Sequence, residues 1–237
     1  MKYAGILIPE TNIVVEDEII KMIAEDVNIL NKVSFHFSRI EVKKDYSKNE
    51  KAFLQEVYNN VGKAMKLLEF IPLDIVGFFC TSAILSQKFN ERHFLKNSNN
   101  IPILHPLQAV LFALSKIKPK RILLFSPYNY TTAMAFEKIL KNEGISISRN
   151  IFLNVNRNID KYDLDRARKL LIKFINEEVD LILILCTNFR TLKLITFFEN
   201  KFEIPVISSN QALFWMICKK LGVRYHGLKK YGSLFQL

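Results

Sequence analysis

Two short apolar runs, each ending in a cysteine, constrain the fold of this chain more than any other feature. The first run spans 73–80 and ends in Cys80, and the second spans 179–186 and ends in Cys186. Runs of this length that are apolar throughout are typical of parallel strands buried on both faces. In open α/β sheets the ligand crevice lies at the carboxyl ends of the strands. The pattern therefore predicts two thiols at one site, acting on opposite sides of a small substrate.

Segments typical of strands and of helices alternate along the whole chain. The segment 49–70, for example, carries Phe53, Val57 and Val61 at helical spacing. The predicted strands cover 3–8, 33–37, 75–79, 121–125, 146–153, 181–185 and 205–207. The predicted helices begin near 14 and after Cys80, and cover 49–70, 107–115, 131–142, 162–178, 190–202 and 210–221. This alternation predicts an α/β fold with parallel sheets.

The order of these segments repeats once along the chain. The segment 6–12 is similar to 123–129, and each is followed by a further strand and helix and then by a strand that ends in Cys-Thr. We therefore predict two doubly wound lobes related by a pseudo-twofold axis, with a cleft between them. The predicted N-terminal lobe is 1–104, completed by 207–237, where the last helix packs back onto it. The predicted C-terminal lobe is 105–206.

The lengths of the apolar runs and the number of cysteines indicate where in the cell the protein resides. The longest apolar runs are too short to span a bilayer, and the first one reaches Pro9 too soon for a secretory signal. The chain has three cysteines, an odd number that argues against a disulfide framework and fits a reducing compartment. We therefore predict a cytoplasmic protein with no membrane partner. A homo-oligomer is left open.

The strongly basic composition has two interpretations. The net charge is +11, from 34 lysines and arginines against 23 acidic residues. These basic residues are spread along the chain without an aromatic-interleaved stripe, which favours a lysine-rich surface over a nucleic-acid partner. The positive charge would still help to attract a dianionic substrate.

Motifs for cofactors and metals are missing from the sequence. It contains no GxGxxG, GxxxxGK[ST] or GxSxG motif, and no CxxC or HxxxH pair. The four histidines, at 36, 93, 105 and 226, are scattered. We therefore predict chemistry by thiols, with no cofactor and no metal.

Short polar side chains follow each of the two thiols. Backbone N–H groups at the start of the next helix would lower a thiol pKa and would also bind carboxylates. The same residue types are common helix caps, so capping and substrate binding stay open as alternatives. The residues concerned are Thr81, Ser82, Thr187 and Asn188.

Asn12 and Tyr128 are candidates for substrate binding because they occupy equivalent positions in the two halves. Each follows a proline at the end of a predicted strand, where plain turn chemistry is the alternative. The run 208–211 is interpreted as the N-cap of the last helix. Trp215 and Cys218, on that helix, are interpreted as packing residues.

Five motifs together resemble the maleate isomerase and arylmalonate decarboxylase group of the aspartate/glutamate racemase superfamily. The resemblance covers nearly the whole chain, and the segment from Pro205 to Trp215 is its most specific part. The motifs are Pro9-Glu-Thr-Asn12, Cys80-Thr-Ser82, Ser126-Pro-Tyr128, Cys186-Thr-Asn188 and Pro205-Val-Ile-Ser-Ser-Asn-Gln-Ala212.

The resemblance implies a cofactor-free reaction in a cleft between two lobes. It makes Cys80 the nucleophile or first acid/base and Cys186 its partner, while Asn12, Tyr128 and Asn156 hold substrate carboxylates. In that group the decarboxylases are similar but keep one of the two cysteines. Two thiols therefore fit isomerisation or racemisation better than decarboxylation. The first hypothesis is a cis–trans isomerase of a small, maleate-like carboxylate. The alternatives are an amino-acid or hydantoin-type racemase, an arylmalonate-type decarboxylase, and a non-catalytic carboxylate-binding protein.

The chain also departs from the group's pattern. Glu10 replaces a small hydroxyl residue, and we expect its carboxylate to disfavour a dicarboxylate at the anion site. Ile13 replaces a threonine, Val155 precedes Asn156 where the group has an aspartate, and Ala83-Ile84 replaces a Gly-Ser pair. These differences suggest a substrate other than maleate itself.

Overall fold

Two four-stranded parallel sheets organise the chain. The structure is a computed structural model that describes residues 1–86, 101–175 and 179–237. The strands are β1 (Lys2–Pro9), β2 (Val33–Ile40), β3 (Ile75–Phe78), β4 (Ile103–Leu104), β5 (Ile122–Ser126), β6 (Ile147–Phe152), β7 (Leu181–Ile184) and β8 (Val206–Ser208). The first sheet has the order β2-β1-β3-β4 and the second the order β6-β5-β7-β8, so the two sheets have the same topology. This confirms the predicted α/β fold with two pseudo-symmetric lobes.

Helices cover these sheets and connect their strands. They are α1 (Val14–Ala24), α2 (Val27–Lys32), α3 (Glu50–Lys66), α4 (Pro106–Ile117), α5 (Tyr130–Asn142), α6 (Leu164–Ile172), α7 (Leu192–Phe202) and α8 (Ser209–Lys220). Short 3-10 turns occupy Ser82–Leu85, Ile159–Lys161, Gly227–Tyr231 and Ser233–Gln236. Among the helices that the structure describes, none is long and apolar enough to cross a bilayer.

Side-chain caps fix where several of these helices begin. The side chains of Asp26, Asn49, Asn129 and Asp163 each accept a backbone N–H from the first turn of the helix that follows. Such caps satisfy donors that would otherwise lack an intrahelical partner. Helix α8 begins with a full capping box, in which Ser208 and Gln211 bond to each other's backbone. The cap interpretation of 208–211 is therefore confirmed.

Helix α8 is the central packing element. All its residues from Ser209 to Cys218 are buried, and the helix contacts α1, α4, β3 and β8. Gly77 in β3 permits this approach, because a Cβ there would lie 2.7 Å from Ile217. Trp215 is fully buried against Phe112, with ring centroids 5.4 Å apart. Trp215 and Cys218 are packing residues, as predicted. The domain boundaries at 104/105 and 206/207 stay a prediction.

The local predictions were wrong at several places. Helix α2 and strand β4 were not predicted. Each is too short to show a periodic pattern, and each depends on packing against neighbouring elements of the fold. The helix predicted over 49–70 ends at Lys66, and the one predicted over 162–178 is helical for Leu164–Ile172. The helix predicted after Cys80 opens as the 3-10 turn Ser82–Leu85. Its continuation over 87–100, His93 and the segment 176–178 lie outside the described residues.

Candidate active site

A cavity of about 560 Å³ lies where β1, β3, β5 and β7 end. Its walls come from both lobes, because each of these strands contributes the loop that follows it. All nine site residues predicted from the sequence line it, namely Asn12, Cys80, Thr81, Ser82, Tyr128, Asn156, Cys186, Thr187 and Asn188. The structure thus places the nine residues together, while their individual roles stay predictions.

Cys80 lies at the start of a tight turn after β3. Its side chain is buried, and burial raises the pKa of this thiol to about 11. The backbone N–H groups of Ala83 and Ser82, together with the Ser82 hydroxyl, point at the sulfur and oppose that rise. We expected these donors to lower the thiol pKa. That expectation was wrong for the net value, because desolvation of a buried thiolate outweighs the donors around it.

Cys186 differs from Cys80 in its backbone conformation. Its φ angle is +110°, a conformation that residues with a side chain rarely adopt. Burial raises the pKa of its thiol to about 12, opposed by the Asn188 N–H and the Tyr128 hydroxyl. The nearby Cys80 thiol also raises this pKa, so the two sulfurs are close enough to affect each other. The two thiols therefore share one cavity but not one environment.

Tyr128 contacts both halves of the site. Its side chain is 2% exposed, and its ring stacks on Phe136 with centroids 5.5 Å apart. Its hydroxyl forms hydrogen bonds with the side chains of Cys186 and Thr81. Because Tyr128 lies in the second lobe and Thr81 in the first, this hydroxyl joins the two lobes beside the thiols.

Asn12 combines the two roles that its sequence position left open. Its Oδ1 accepts the N–H groups of Val14 (3.0 Å) and Val15 (3.2 Å) at the start of α1. Its Nδ2 donates to Thr187 Oγ1 at 3.1 Å, and that hydroxyl in turn donates to the carbonyl of Phe79 at 3.1 Å. Asn12 is therefore a turn residue that also lines the cavity.

The remaining predicted residues differ in exposure. Thr81 is buried, and its hydroxyl lies 3.0 Å from Ser209 Oγ. The buried Oδ1 of Asn188 has no hydrogen-bond partner within the described parts of the chain, which leaves an acceptor beside the cavity. Asn156 is exposed, in the loop between β6 and the turn at Ile159–Lys161. It lies at the rim.

Tyr46 is a cavity residue that the sequence analysis missed. Its hydroxyl donates to Glu50 Oε1 at 2.9 Å, and its ring packs edge-on against Phe53. Burial raises its pKa, and so do Glu50 and both thiols, Cys186 more than Cys80. No periodicity or motif marks the loop that carries Tyr46, so nothing in the sequence could have placed it here.

Ser209 and Asn210 were interpreted as helix-capping residues, but they also hold the site. Ser209 Oγ accepts the Cys186 N–H at 3.1 Å, and Asn210 Nδ2 donates to the Thr187 carbonyl at 3.0 Å. The signal that could have found them was the segment 208–211 itself, with two polar residues more than a capping box requires.

The charged residues around the cavity differ from expectation. Glu10 is exposed and is not among the described residues that line the cavity, so the expected carboxylate at the anion site was wrong. Its backbone carbonyl instead accepts from Arg39 at 3.2 Å. The basic residues Lys43, Lys44 and Arg157 line the cavity, together with two aspartates. No cluster of three or more metal-ligating side chains occurs in the described ranges.

The fold and the cavity together define a class, in which two α/β lobes each contribute one thiol to a shared cleft. A family model described as arylmalonate decarboxylase matches residues 27–235 of this chain. The chain therefore belongs to the arylmalonate decarboxylase family, which confirms the resemblance drawn from its motifs. Among curated protein sequences, none matches the chain.

Solved structures of similar fold cover nearly the whole chain. A cysteine-to-alanine variant of the maleate isomerase Iso from Pseudomonas putida, with maleate, has a TM-score of 0.84 at 21% identity, covering 99% of this chain and 97% of its own. A cysteine-to-serine variant of the Nocardia farcinica maleate cis-trans isomerase, with a covalently bound succinylcysteine intermediate, has a TM-score of 0.82 at 18% identity, covering 99% and 98%. Arylmalonate decarboxylase has a TM-score of 0.71 at 19% identity, covering 99% of each chain. At these identities the likeness establishes the fold.

Proposed function

We propose that this protein is a cofactor-independent cis–trans isomerase of a small, maleate-like dicarboxylate. One observation carries the proposal. Two buried thiols, one from each lobe, line the same cavity, and each sulfur receives hydrogen bonds from its own turn. One thiolate and one thiol are the groups that addition to an alkene and proton delivery require. The three free cysteines support a reducing compartment, so we place the protein in the cytoplasm.

Cys80 is the nucleophile in this mechanism. Its thiolate attacks one alkene carbon, and a C–S bond forms as the π electron pair moves onto the neighbouring carbon. The Cys186 thiol then donates its proton to that carbon, which leaves a thioether and a Cys186 thiolate. The former double bond is now single and rotates. Cys186 takes the proton back, the C–S bond breaks, and the trans alkene and the Cys80 thiolate are restored.

Assignment of these roles follows from the two thiol environments. Cys80 receives two backbone N–H groups and a hydroxyl, whereas Cys186 receives one backbone N–H and one hydroxyl, so burial raises the pKa of Cys80 less. The group with the lower pKa holds the negative charge more readily, which suits a nucleophile. Cys186, with the higher pKa, keeps its proton and suits the role of acid.

The polar lining would hold the two substrate carboxylates. Asn12, Tyr128 and Asn156 supply side-chain donors from different loops, while Thr81, Ser82, Thr187 and Asn188 supply hydroxyl and amide groups beside the thiols. Three basic residues, Lys43, Lys44 and Arg157, outnumber the two aspartates in the same cavity, and this net positive charge favours a dianion.

Decarboxylation of a malonate is the second candidate, because the matching family model is that of arylmalonate decarboxylase. Proton NMR in deuterated water separates the candidates. With maleate we expect the cis-alkene signal to be replaced by that of the trans isomer. Exchange of an amino-acid α-proton would identify a racemase instead, and loss of a carboxyl group from an arylmalonate would identify a decarboxylase.

A covalent adduct provides the second test. In Cys186→Ser, addition to Cys80 still occurs while proton transfer is impaired. We expect intact-protein mass spectrometry to show a mass increase of one substrate, located on the peptide that contains Cys80. An adduct on Cys186 in the matched Cys80→Ser variant, and none on Cys80, would reverse the assignment.

A further inference from the structure

The backbone of Cys186 needs an explanation that lies outside the cavity. Its φ of +110° is the kind of conformation that persists where the surrounding structure fixes it. The turn that begins there runs to Thr191, and α7 begins at Leu192. Contacts at both ends of this turn therefore decide where the Cys186 sulfur lies.

A buried carboxylate from the first lobe holds the far end of the turn. Glu18, in α1, is 3% exposed. It accepts the backbone N–H of Thr191 at 2.5 Å and that of Leu192 at 3.2 Å. The Thr191 hydroxyl lies 3.2 and 3.1 Å from its two oxygens. A single side chain of α1 thus satisfies the N-terminus of α7 in the other lobe.

The same carboxylate also reaches the near end of the turn. Asn210 Nδ2 donates to Glu18 Oε2 at 2.8 Å and to the Thr187 carbonyl at 3.0 Å. The Thr187 hydroxyl donates to the carbonyl of Phe79, the residue before Cys80. An unbroken chain of contacts therefore runs from Glu18 through the residue after Cys186 to the residue before Cys80.

We propose that Glu18 is a positioning residue, which fixes the Cys186 turn against Cys80 at the distance and angle that proton transfer requires. Glu18 is not among the described residues that line the cavity, so it acts through Asn210, Thr187 and Thr191. The role in proton transfer rests on the proposed function. Burial raises the pKa of the Glu18 carboxyl, and its donors from Thr191, Asn210 and Leu192 oppose that rise without cancelling it.

Glu18→Gln tests the proposal with little change in shape. The amide nitrogen cannot accept a hydrogen bond, so the variant loses contacts either to the α7 N-terminus or to Asn210. We expect kcat to fall about 100-fold while KM changes less than about twofold, because misplacing a reacting group costs rate rather than binding.

Asp26→Asn is the matched control. Asp26 is 2% exposed and accepts the N–H groups of Ile29 (3.1 Å), His226 (2.5 Å) and Gly227 (2.7 Å), none of which lines the cavity among the described residues. We expect a similar loss of Tm in both variants, with kcat unchanged within about twofold in Asp26→Asn.

A substrate-independent readout separates this proposal from the proposed function. Iodoacetamide labelling, followed on the two cysteine peptides, should be about tenfold faster at Cys186 in Glu18→Gln and unchanged at Cys80, because a loosened turn opens more often and exposes the buried sulfur to the reagent. If Glu18→Gln does not fold, Asn210→Ala removes the link to Thr187 and should give the same selective change. Equal changes at both cysteines, or none, would overturn the role of Glu18. A wild-type protein that isomerises no dicarboxylate would refute the proposed function while the labelling result still decides the role of Glu18.

Discussion

The turns after β3 and β7 begin with the same pattern, Cys-Thr, yet they fold differently. After Cys80 the chain enters a 3-10 turn at once, with Thr81 in the right-handed helical region. Cys186 is itself strained, and five further positions follow it before α7 begins. Both thiols are 6% exposed, so burial alone does not separate them.

What separates the two thiols is the set of groups around each sulfur. Cys80 receives all its donors from its own turn, whereas Cys186 receives one N–H from its own turn and the hydroxyl of Tyr128. The backbone N–H of Cys186 donates to Ser209. In the proposed mechanism, equivalent positions in two pseudo-symmetric lobes therefore take different roles, with the charge on Cys80 and the proton on Cys186. Near-symmetry of the fold does not require symmetry of the chemistry.

The largest expected effect is that of Cys80→Ala, which removes the proposed nucleophile. Turnover should fall by at least about 10⁴-fold, and no adduct should form, because the covalent route is closed. Steady-state rates and intact mass measure both outcomes. Cys218→Ala, which changes a buried thiol of α8, should keep its activity. Full activity of Cys80→Ala would exclude the two-thiol mechanism.

A smaller loss is expected from Tyr128→Phe, which removes the hydroxyl that distinguishes the Cys186 turn. One hydrogen bond to a group that becomes charged is worth about 1.5–3 kcal/mol, or roughly 10- to 100-fold in kcat. Tyr225→Phe is the control, because that ring is partly buried against Phe235 and does not line the cavity among the described residues. An unchanged kcat in Tyr128→Phe would mean that the hydroxyl contributes nothing to the reaction, and the two thiols would then differ only in the conformation of their backbone.

The smallest effect concerns the free thiols. Both thiol pKa values are raised, so the thiolate fraction is small at neutral pH. As long as the pH stays below the pKa, this fraction grows about tenfold with each unit by which the pH rises. Alkylation of both cysteines, and kcat/KM, should therefore rise with pH between about 7 and 9. At one pH, Cys80 should react faster than Cys186, because its sulfur receives more hydrogen-bond donors and its pKa is raised less. Peptide mass spectrometry measures both rates. Faster labelling of Cys186 would contradict the assigned order.

Prediction from the sequence succeeded where local patterns are long and regular. The strands that carry the cysteines are apolar throughout, so their burial and parallel pairing followed from composition alone. Parallel strands end at the same edge of their sheet, and the internal repeat predicted a cleft between the two lobes. Together these placed the residues after four strands at one site. The helix boundaries were less certain, since capping and crossing elements shift them by a few residues.

The sequence by itself determined the two lobes, the two thiols and the polar residues that follow them. Tertiary structure decided everything that depends on contacts distant in the chain. Glu18 meets Thr191 across 173 positions, and Tyr46 lines the cavity of the two thiols from an irregular loop. Glu10, in contrast, is exposed outside the cavity. Tertiary structure also decided whether desolvation or hydrogen-bond donors dominate the pKa of each thiol. Most of the hydrogen-bond donors near the two cysteines belong to residues close to them in the sequence. The desolvation that outweighs them comes from the packing of both lobes around the cleft.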